Sequence, residues 1–174
     1  MTNNKDIANG RSNAHEGDDG QRKWTEDYDL IGVFGEQLFA DRYGLIVNPD
    51  TSKADPGWDF EIGVYKFDVK TSTYRPRDIS PTYLKVEYGK ARPDVIYVLA
   101  LYDKDTKCGY LMGWEGGDIL PRCSCEMTFK TGVKNHVIAH DRLRSMVDLD
   151  KLIEKERERL RMEANGDTGN NNGD

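Results

Sequence analysis

The chain has 174 residues, enough for one domain with a sizeable core, and 37% of them are hydrophobic. It carries 25 Lys and Arg against 31 Asp and Glu, a formal net charge of −6. This balance excludes a strongly basic DNA-binding domain, so any contact with nucleic acid has to come from a local patch. The absence of a membrane-spanning apolar run and of a signal-peptide pattern predicts a cytoplasmic protein without membrane contact.

The two ends of the chain are polar and rich in Asn, Asp and Gly. Residues 1–22 and 163–174 cannot bury enough apolar surface to order themselves. We therefore predict two disordered tails around a single domain that spans residues 23–162. The tails hold four of the six net negative charges, so the domain itself is expected to be close to neutral.

The first predicted element is a helix from Thr25 to Tyr43, in which Leu30, Phe34 and Leu38 recur at helical spacing. Gly44 follows it and is the residue type that commonly ends a helix. We therefore expect a helix that buries one face, followed by a turn-rich segment.

A hairpin is predicted for residues 58–72, WDFEIGVYKFDVKTS. Gly63-Val64 places glycine first, as a type II′ turn prefers. Counting from this turn gives an apolar face with Trp58, Phe60, Ile62, Tyr65, Phe67 and Val69. The other face then carries Asp59, Glu61, Lys66, Asp68 and Lys70. This separation supports the register, because a slip by one residue would mix the two faces.

The rest of the chain completes an α/β pattern. Residues 95–102, VIYVLALY, are typical of a strand buried on both faces. Residues 109–114 and 134–140 predict two shorter strands, GWEGGD at 113–118 predicts a turn, and a second helix is expected from about Asp148. The order of elements predicts the α/β class, with a central mixed β-sheet flanked by α-helices.

The two opposed aspartates are the unusual feature of the hairpin. Asp59 and Asp68 face each other in the predicted register, and like charges repel unless something positive lies between them. Lys70, on the same face, is one candidate, and a divalent metal is the other, because Mg²⁺ is held by one or two carboxylates with waters and phosphates. A solvated face with alternating charges is the alternative, for which a Glu61–Lys66 pair is typical.

Glu36 lies on the predicted helix without a basic neighbour. The residues three and four positions away are Gly32, Val33, Phe39 and Ala40. A surface glutamate usually lies among polar residues, whereas Glu36 is at the edge of the buried stripe and can point toward the sheet. A surface glutamate that happens to have apolar neighbours is the alternative.

Taken in this order, the residues resemble the PD-(D/E)xK nuclease superfamily, which has the restriction-endonuclease-like fold. The core of that family is a helix with a glutamate, a strand with an aspartate and a strand with Asp/Glu-x-Lys. Here GEQLFADRYG supplies Glu36, PGWDF supplies Asp59, and FDVKTS supplies Asp68 and Lys70. The resemblance covers residues 25–102, and Trp58 stands where the family often has proline.

The resemblance implies a metal-dependent endonuclease that hydrolyses DNA phosphodiester bonds. Asp59 and Asp68 would hold Mg²⁺, for which Mn²⁺ can substitute, with the Val69 carbonyl as a further ligand and Glu36 contributing directly or through water. Lys70 would orient the attacking water and stabilise charge on the phosphate. The short chain looks like the small enzymes of phages or of bacterial defence and repair systems.

A candidate DNA-binding segment follows the hairpin at residues 73–92. Basic side chains contact phosphates and tyrosines stack on bases, and the candidates are Arg75 and Arg77, then Tyr74, Lys85, Lys90 and Arg92. An ordinary solvated loop with a short helix is the alternative. Duplex or branched DNA is the expected partner. A homodimer would supply two sites for two strands, and a partner protein could confer specificity.

Two further hypotheses stay open. Cys123, Cys125, His136 and His140 could form a zinc site, but C-x-C is not the usual spacing, and we prefer reduced thiols in a loop with two ordinary histidines. The functional alternative is a non-catalytic nuclease-like protein that binds DNA or a protein, for example an acidic inhibitor of a host DNA-processing system. The net negative charge favours this alternative, and the complete set of four site residues opposes it.

Overall fold

The computed structural model describes residues 26–47, 56–74, 82–129 and 132–166. The elements in chain order are α1 (Glu26–Tyr43), β1 (Phe60–Ile62), β2 (Tyr65–Tyr74), β3 (Tyr83–Glu87), β4 (Val95–Asp103), β5 (Gly109–Gly116), α2 (Leu120–Cys123), β6 (Cys125–Thr128), β7 (Lys134–Ala139) and α3 (Met146–Gly166). Two 3₁₀ turns, Tyr88–Lys90 and His140–Arg142, follow β3 and β7. None of these helices combines the length and the apolar character that crossing a membrane requires.

The first sheet has four strands in the order β1-β2-β4-β5. Strands β2 and β4 are parallel and the outer pairings are antiparallel, so the predicted mixed sheet and the α/β class are confirmed. The hairpin register is also confirmed over its three ladder pairs, in which Phe60 pairs with Phe67, Glu61 with Lys66 and Ile62 with Tyr65. Gly63 has a φ of 58°, a backbone conformation that suits glycine.

Helices α1 and α3 cover one face of the first sheet. The buried side chains between them and the sheet include Val33, Phe39, Phe67, Val98, Leu149 and Ile153. Helix α1 comes very close to β2 at Gly35. A Cβ at this position would lie only 2.0 Å from the Thr71 hydroxyl oxygen. Only glycine permits this approach without a shift, so the contact fixes the position of the helix residue next to it, Glu36.

The other face of the first sheet packs against a second sheet. Its strands are antiparallel in the order β3-β7-β6. A second apolar cluster lies between the sheets, with Leu84, Val86 and Ile138 on one side and Val95, Tyr97 and Leu99 on the other. Helix α2, with only four residues, adds Leu120 to it. The expectation of one sheet flanked by helices is therefore wrong for this face.

Several local predictions need correction. The alternative of a solvated loop with a short helix is wrong for residues 83–87, because all five residues of β3 pair with β7. The proposed cysteine loop contains β6, which begins at Cys125. The predicted turn at 113–118 is wrong for its first four residues, which belong to β5. One of them, Trp114, pairs with Val98 of β4 and is 3% exposed. Helix α3 continues to Gly166, past the predicted tail boundary at 163.

Candidate active site

Asp59 lies where the hairpin ladder stops. Strand β1 begins one residue later, at Phe60. The Asp59 backbone N–H donates to the Phe67 carbonyl over 2.8 Å, and its carboxylate Oδ2 accepts the Val69 backbone N–H over 2.7 Å. The side chain thus takes the place that a strand carbonyl would occupy opposite β2. Asp59 and Asp68 are therefore not a ladder pair, as the extended register predicted, but neighbours around the end of the hairpin.

Asp68 and Lys70 project from β2 on the face toward the second sheet. Lys70 Nζ lies 2.7 Å from Asp68 Oδ2, with 41% of the lysine side chain and 12% of the aspartate side chain exposed. In the parallel register Asp68 is beside Tyr97 and Lys70 is beside Leu99, both of which belong to the second cluster. The Lys70 ammonium, which is half-exposed, and the Asp68 carboxylate, which is almost buried, therefore lie beside the side chains of Tyr97 and Leu99.

Glu36 is delivered by α1 and is 5% exposed. The close contact of Gly35 with β2 places the glutamate next to the sheet, so the alternative of a surface glutamate is wrong. Its charge reaches Asp59, whose pKa it raises. The helix therefore contributes a carboxylate to the same region as the hairpin.

The electrostatics of the group centre on Asp59. Burial, then the charge of Glu36, then that of Asp68 raise its pKa well above the usual range, and the Val69 amide and Lys70 oppose them with smaller effects. Burial alone would lower the pKa of Lys70, but attraction to Asp68, its hydrogen bond and the charge of Asp59 outweigh burial, and the pKa is raised. Three carboxylates and one lysine thus act on one another, with the lysine ammonium kept charged.

The residue before Asp59 does not lie where the sequence predicted. Trp58 packs with the second cluster, whereas Phe60 and Phe67 belong to the first. The side chain of Lys66 lies over its ring, with Nζ 4.2 Å from the ring centroid. The expected alternation fails at this point because the chain leaves the strand ladder at Asp59.

The donor set fits a hard divalent cation such as Mg²⁺. In the described part of the chain no three His, Cys, Asp or Glu side chains stand together as a ready-made metal cage. Mg²⁺ does not need such a cage, because one or two carboxylates with waters and substrate phosphates are its usual protein ligands. Asp59 and Asp68 are the two carboxylates that could serve in this way, and burial with the charges of Glu36 and Asp68 raises the pKa of Asp59 well above its usual range.

The predicted DNA-binding residues lie in different surroundings. Arg75, Arg77 and the side chain of Tyr74 lie outside the described residues. Lys85 is exposed on β3 with its ammonium 4.7 Å from the Phe129 ring centroid, and Lys90, 70% exposed, lies 3.5 Å from Glu87.

Arg92 is more strongly engaged than either lysine, because each of its side-chain nitrogens donates to a protein oxygen, from Pro56 or from Asp94. A phosphate contact would therefore compete with existing bonds.

The cysteine and histidine candidates are separated by their own contacts. His136 is buried, lies 2.8 Å from the Ser124 hydroxyl through Nδ1 and stacks on Tyr88. Cys123 is half-buried at the end of α2 and Cys125 is exposed, and neither is in a disulfide. Within the described ranges these side chains do not form a group that could hold a metal ion.

Tyr97 is a site neighbour that the motif search missed. It is 1% exposed, and its hydroxyl accepts the Arg92 backbone N–H over 2.9 Å. Burial raises its pKa, and the charges of Asp68 and Lys70 act on it in opposite directions. One signal was available in the sequence: a tyrosine inside the apolar run 95–102 needs a partner for its hydroxyl.

No protein-family model matches the chain, and neither a curated protein nor a solved structure matches it significantly. The likeness to PD-(D/E)xK nucleases is therefore a likeness of motifs, carried by Glu36, Asp59, Asp68 and Lys70.

Proposed function

We propose that this chain is a Mg²⁺-dependent deoxyribonuclease with a restriction-endonuclease-like core. The observation that supports the proposal is electrostatic: the charges of Glu36, Asp68 and Lys70 all act on the buried carboxyl of Asp59, and Lys70 is bonded to Asp68 at 2.7 Å. These residues come from a helix and a hairpin that are far apart in the sequence. A purely structural site gains little from bringing three carboxylates within reach of one another's charge, because each raises the energetic cost of ionising the next.

The side chains have separable roles in phosphodiester hydrolysis. Asp59 and Asp68 would hold the cation, with the Val69 carbonyl and Glu36 completing the set. The bound Mg²⁺ would supply a Lewis acid for the phosphoryl oxygen and a water of lowered pKa. Lys70, charged and half-exposed, would donate hydrogen bonds to the attacking water and to a phosphate oxygen. Its present bond to Asp68 keeps the ammonium at the point where it would act.

A nicking assay combined with Mn²⁺ calorimetry tests these roles. Supercoiled plasmid, linear duplex and branched DNA are incubated with Mg²⁺, Mn²⁺ or EDTA. Asp59→Asn and Asp68→Asn should lose both Mn²⁺ binding and cleavage. Lys70→Ala should keep Mn²⁺ binding and lose turnover by about 100-fold, the scale of one electrostatic contact in a transition state.

Glu61→Gln is the matched control, because Glu61 is an exposed hairpin carboxylate opposite Lys66. It should cleave and bind Mn²⁺ like the parent. Equal Mn²⁺ binding by the parent and both Asn variants would rule out the metal site. DNA binding with no cleavage under any metal condition would favour the non-catalytic alternative instead.

A further inference from the structure

Two cations lie over the indole ring of Trp58. Lys66 Nζ is 4.2 Å and Arg92 Cζ is 4.7 Å from its centroid. Both cations also bind the carboxylate of Asp94: Lys66 at 2.9 Å, and Arg92 at 3.0 Å and 3.2 Å. Hydrogen bonds from Lys66 and then from Arg92 lower the pKa of Asp94 to about 2. We call Trp58, Lys66, Arg92 and Asp94 the Trp58 clamp.

The clamp joins the segment before Asp59 to the turn before β4. Arg92 Nη1 donates to the Pro56 carbonyl over 2.7 Å, while Nε and Nη2 donate to Asp94. The Arg92 backbone N–H donates to Tyr97, so the turn itself is anchored in the second cluster. One guanidinium therefore links the Pro56 carbonyl and the Trp58 ring to a turn that is anchored in the core.

Asp59 directly follows Trp58, so contacts that hold the indole ring also limit where the Asp59 backbone can lie. Asp59 adds two bonds of its own: its backbone N–H donates to the Phe67 carbonyl over 2.8 Å, and its carboxylate accepts the Val69 N–H over 2.7 Å. The clamp adds two cation–π contacts and an ion-pair network directly before Asp59.

We propose that Arg92 is a positioning residue for Asp59, acting through Trp58, Asp94 and the Pro56 carbonyl, and not a DNA contact. This inference rests on the proposed nuclease function for its catalytic consequence, but the positioning itself concerns the folded chain alone. Lysine cannot replace Arg92, because a single ammonium cannot bind Asp94 through two nitrogens, reach Pro56 and cover the ring together.

The Val69 amide reports the position of Asp59 independently of activity. Amide proton shifts and hydrogen exchange are measured by NMR on the full chain without metal, for the parent, Arg92→Ala, Arg92→Lys and Asp94→Asn. Arg161→Ala is the control, since Arg161 is an exposed arginine of α3. Arg92→Ala should shift the Val69 amide and speed its exchange by about 10-fold, while Val98, its register partner, stays unchanged.

Kinetics and salt dependence then separate the roles. Arg92→Ala and Arg92→Lys should lower kcat by about 10-fold at nearly constant KM, as a misplaced site residue does. For both Arg92 variants, the slope of log Kd for DNA against log salt concentration should equal the slope measured for Arg161→Ala.

An unmoved Val69 amide in both Arg92→Ala and Asp94→Asn would overturn the proposal. So would a salt slope lowered by about one unit by Arg92→Ala alone, which marks a phosphate contact. Equal loss of protection at Val69 and Val98 would also overturn it, by showing a general structural role. A parent protein without nuclease activity would refute the proposed function and leave the Val69 measurement decisive.

Discussion

The carboxyl group of Asp59 affects stability in two ways, through the hydrogen bond that it accepts and through the charge that it carries. Its Oδ2 must accept the Val69 N–H, which any side-chain oxygen at that position can do. Its charge is a separate matter, because burial, Glu36 and Asp68 all raise its pKa. Asparagine keeps the acceptor and removes the charge, whereas alanine removes both. Comparing the two substitutions therefore separates the hydrogen bond from the charge.

Asp59→Asn should raise the melting temperature at pH 7 without divalent metal, by at least about 2 °C, the shift that roughly 1 kcal/mol produces in a chain of this size. The raised pKa means that the folded protein holds this proton more tightly than the unfolded one. The contribution of this group to the stability of the parent is therefore full below the ordinary aspartate pKa and is lost as pH rises through the folded value. The advantage of the asparagine should vanish in acid, which thermal melts across pH will show.

Asp59→Ala supplies the contrast in the same melts. It should be less stable than Asp59→Asn by about 1 kcal/mol, because the Val69 amide loses its acceptor. A parent that is more stable than Asp59→Asn at pH 7 without metal would contradict the electrostatic account of this residue.

At the scale of the elements, α3 holds the hairpin through its turn. Glu156, 6% exposed, accepts the Val64 N–H over 3.0 Å and is bonded by Arg159. A Cβ at Gly63 would lie 1.9 Å from the Glu156 Oε1 atom. The last helix and the hairpin that carries Asp68 are thus coupled at a point where glycine is required twice, for its positive φ and for space.

Gly63→Ala should destabilise the fold by about 2 kcal/mol or more, the left-handed conformation alone costing about 1–2 kcal/mol. Glu156→Ala should also destabilise it, because the Val64 amide loses its acceptor. The double variant should be more stable than the sum of the two losses predicts, since the collision is absent without Glu156. Urea unfolding of all four proteins measures this coupling, and strict additivity would show that the turn relaxes away from α3.

The contact between α1 and β2 contains a second paired prediction. Thr71 Oγ1 is buried without a hydrogen-bond partner in the described part of the chain, and a Cβ at Gly35 would meet it at 2.0 Å. Gly35→Ala should cost about 1–3 kcal/mol as overpacking and lower the proposed nuclease activity, because Glu36 moves with the helix. Thr71→Ala should be nearly neutral, since it removes an unsatisfied hydroxyl.

The double variant Gly35→Ala with Thr71→Ala should recover most of the lost stability, as thermal melts can establish. If the single change at Gly35 leaves both the melting temperature and the cleavage rate unchanged, α1 does not depend on this approach.

The elements that sequence alone predicts are those with strong local signals. Helix α1, the Gly63-Val64 hairpin and the strand predicted for residues 95–102 follow from periodicity, turn chemistry and continuous apolar character. Strands β3 and β6 have five and four residues, and they are strands because β7 lies between them. Strands β6 and β7 are close in sequence, but β3 pairs with β7 across a long stretch of chain, as in the pair Tyr83 and Ala139. Pairing at that sequence distance has no local signal, so the complete second sheet could not be predicted.

The candidate site divides in the same way. Glu36, Asp59, Asp68 and Lys70 were found because their residue types and order form a motif. The roles of Trp58, Arg92 and Asp94 depend on tertiary contacts between segments more than 30 positions apart, such as the bond from Arg92 to Pro56. From the sequence alone, Arg92 is one basic residue in a basic segment and suggests a phosphate contact. In the structure its side-chain nitrogens bind Pro56 and Asp94 instead.

At the scale of the whole molecule, the described core is confined to the middle of the chain. The two apolar clusters lie on opposite faces of the first sheet, and their members run from Val33 to Ile153. Beyond Arg157, the residues of α3 from 158 to 165 are all exposed. The end of this helix therefore adds ion pairs but no buried apolar surface.

A truncated chain of residues 23–166 should consequently keep the stability of the full chain to within about 2 °C, which corresponds to less than roughly 1 kcal/mol at this size. The residues removed are polar and rich in Asn, Asp and Gly, so they have little apolar surface to contribute. Ending the chain at 162 instead would remove Glu163, the partner of Arg159, and should cost about 0.3–0.5 kcal/mol more, the usual value of such a helix pair. Calorimetric melts of the three proteins test both expectations. A fall of more than about 4 °C for residues 23–166, or roughly 1–2 kcal/mol, would show that an end segment packs against the core.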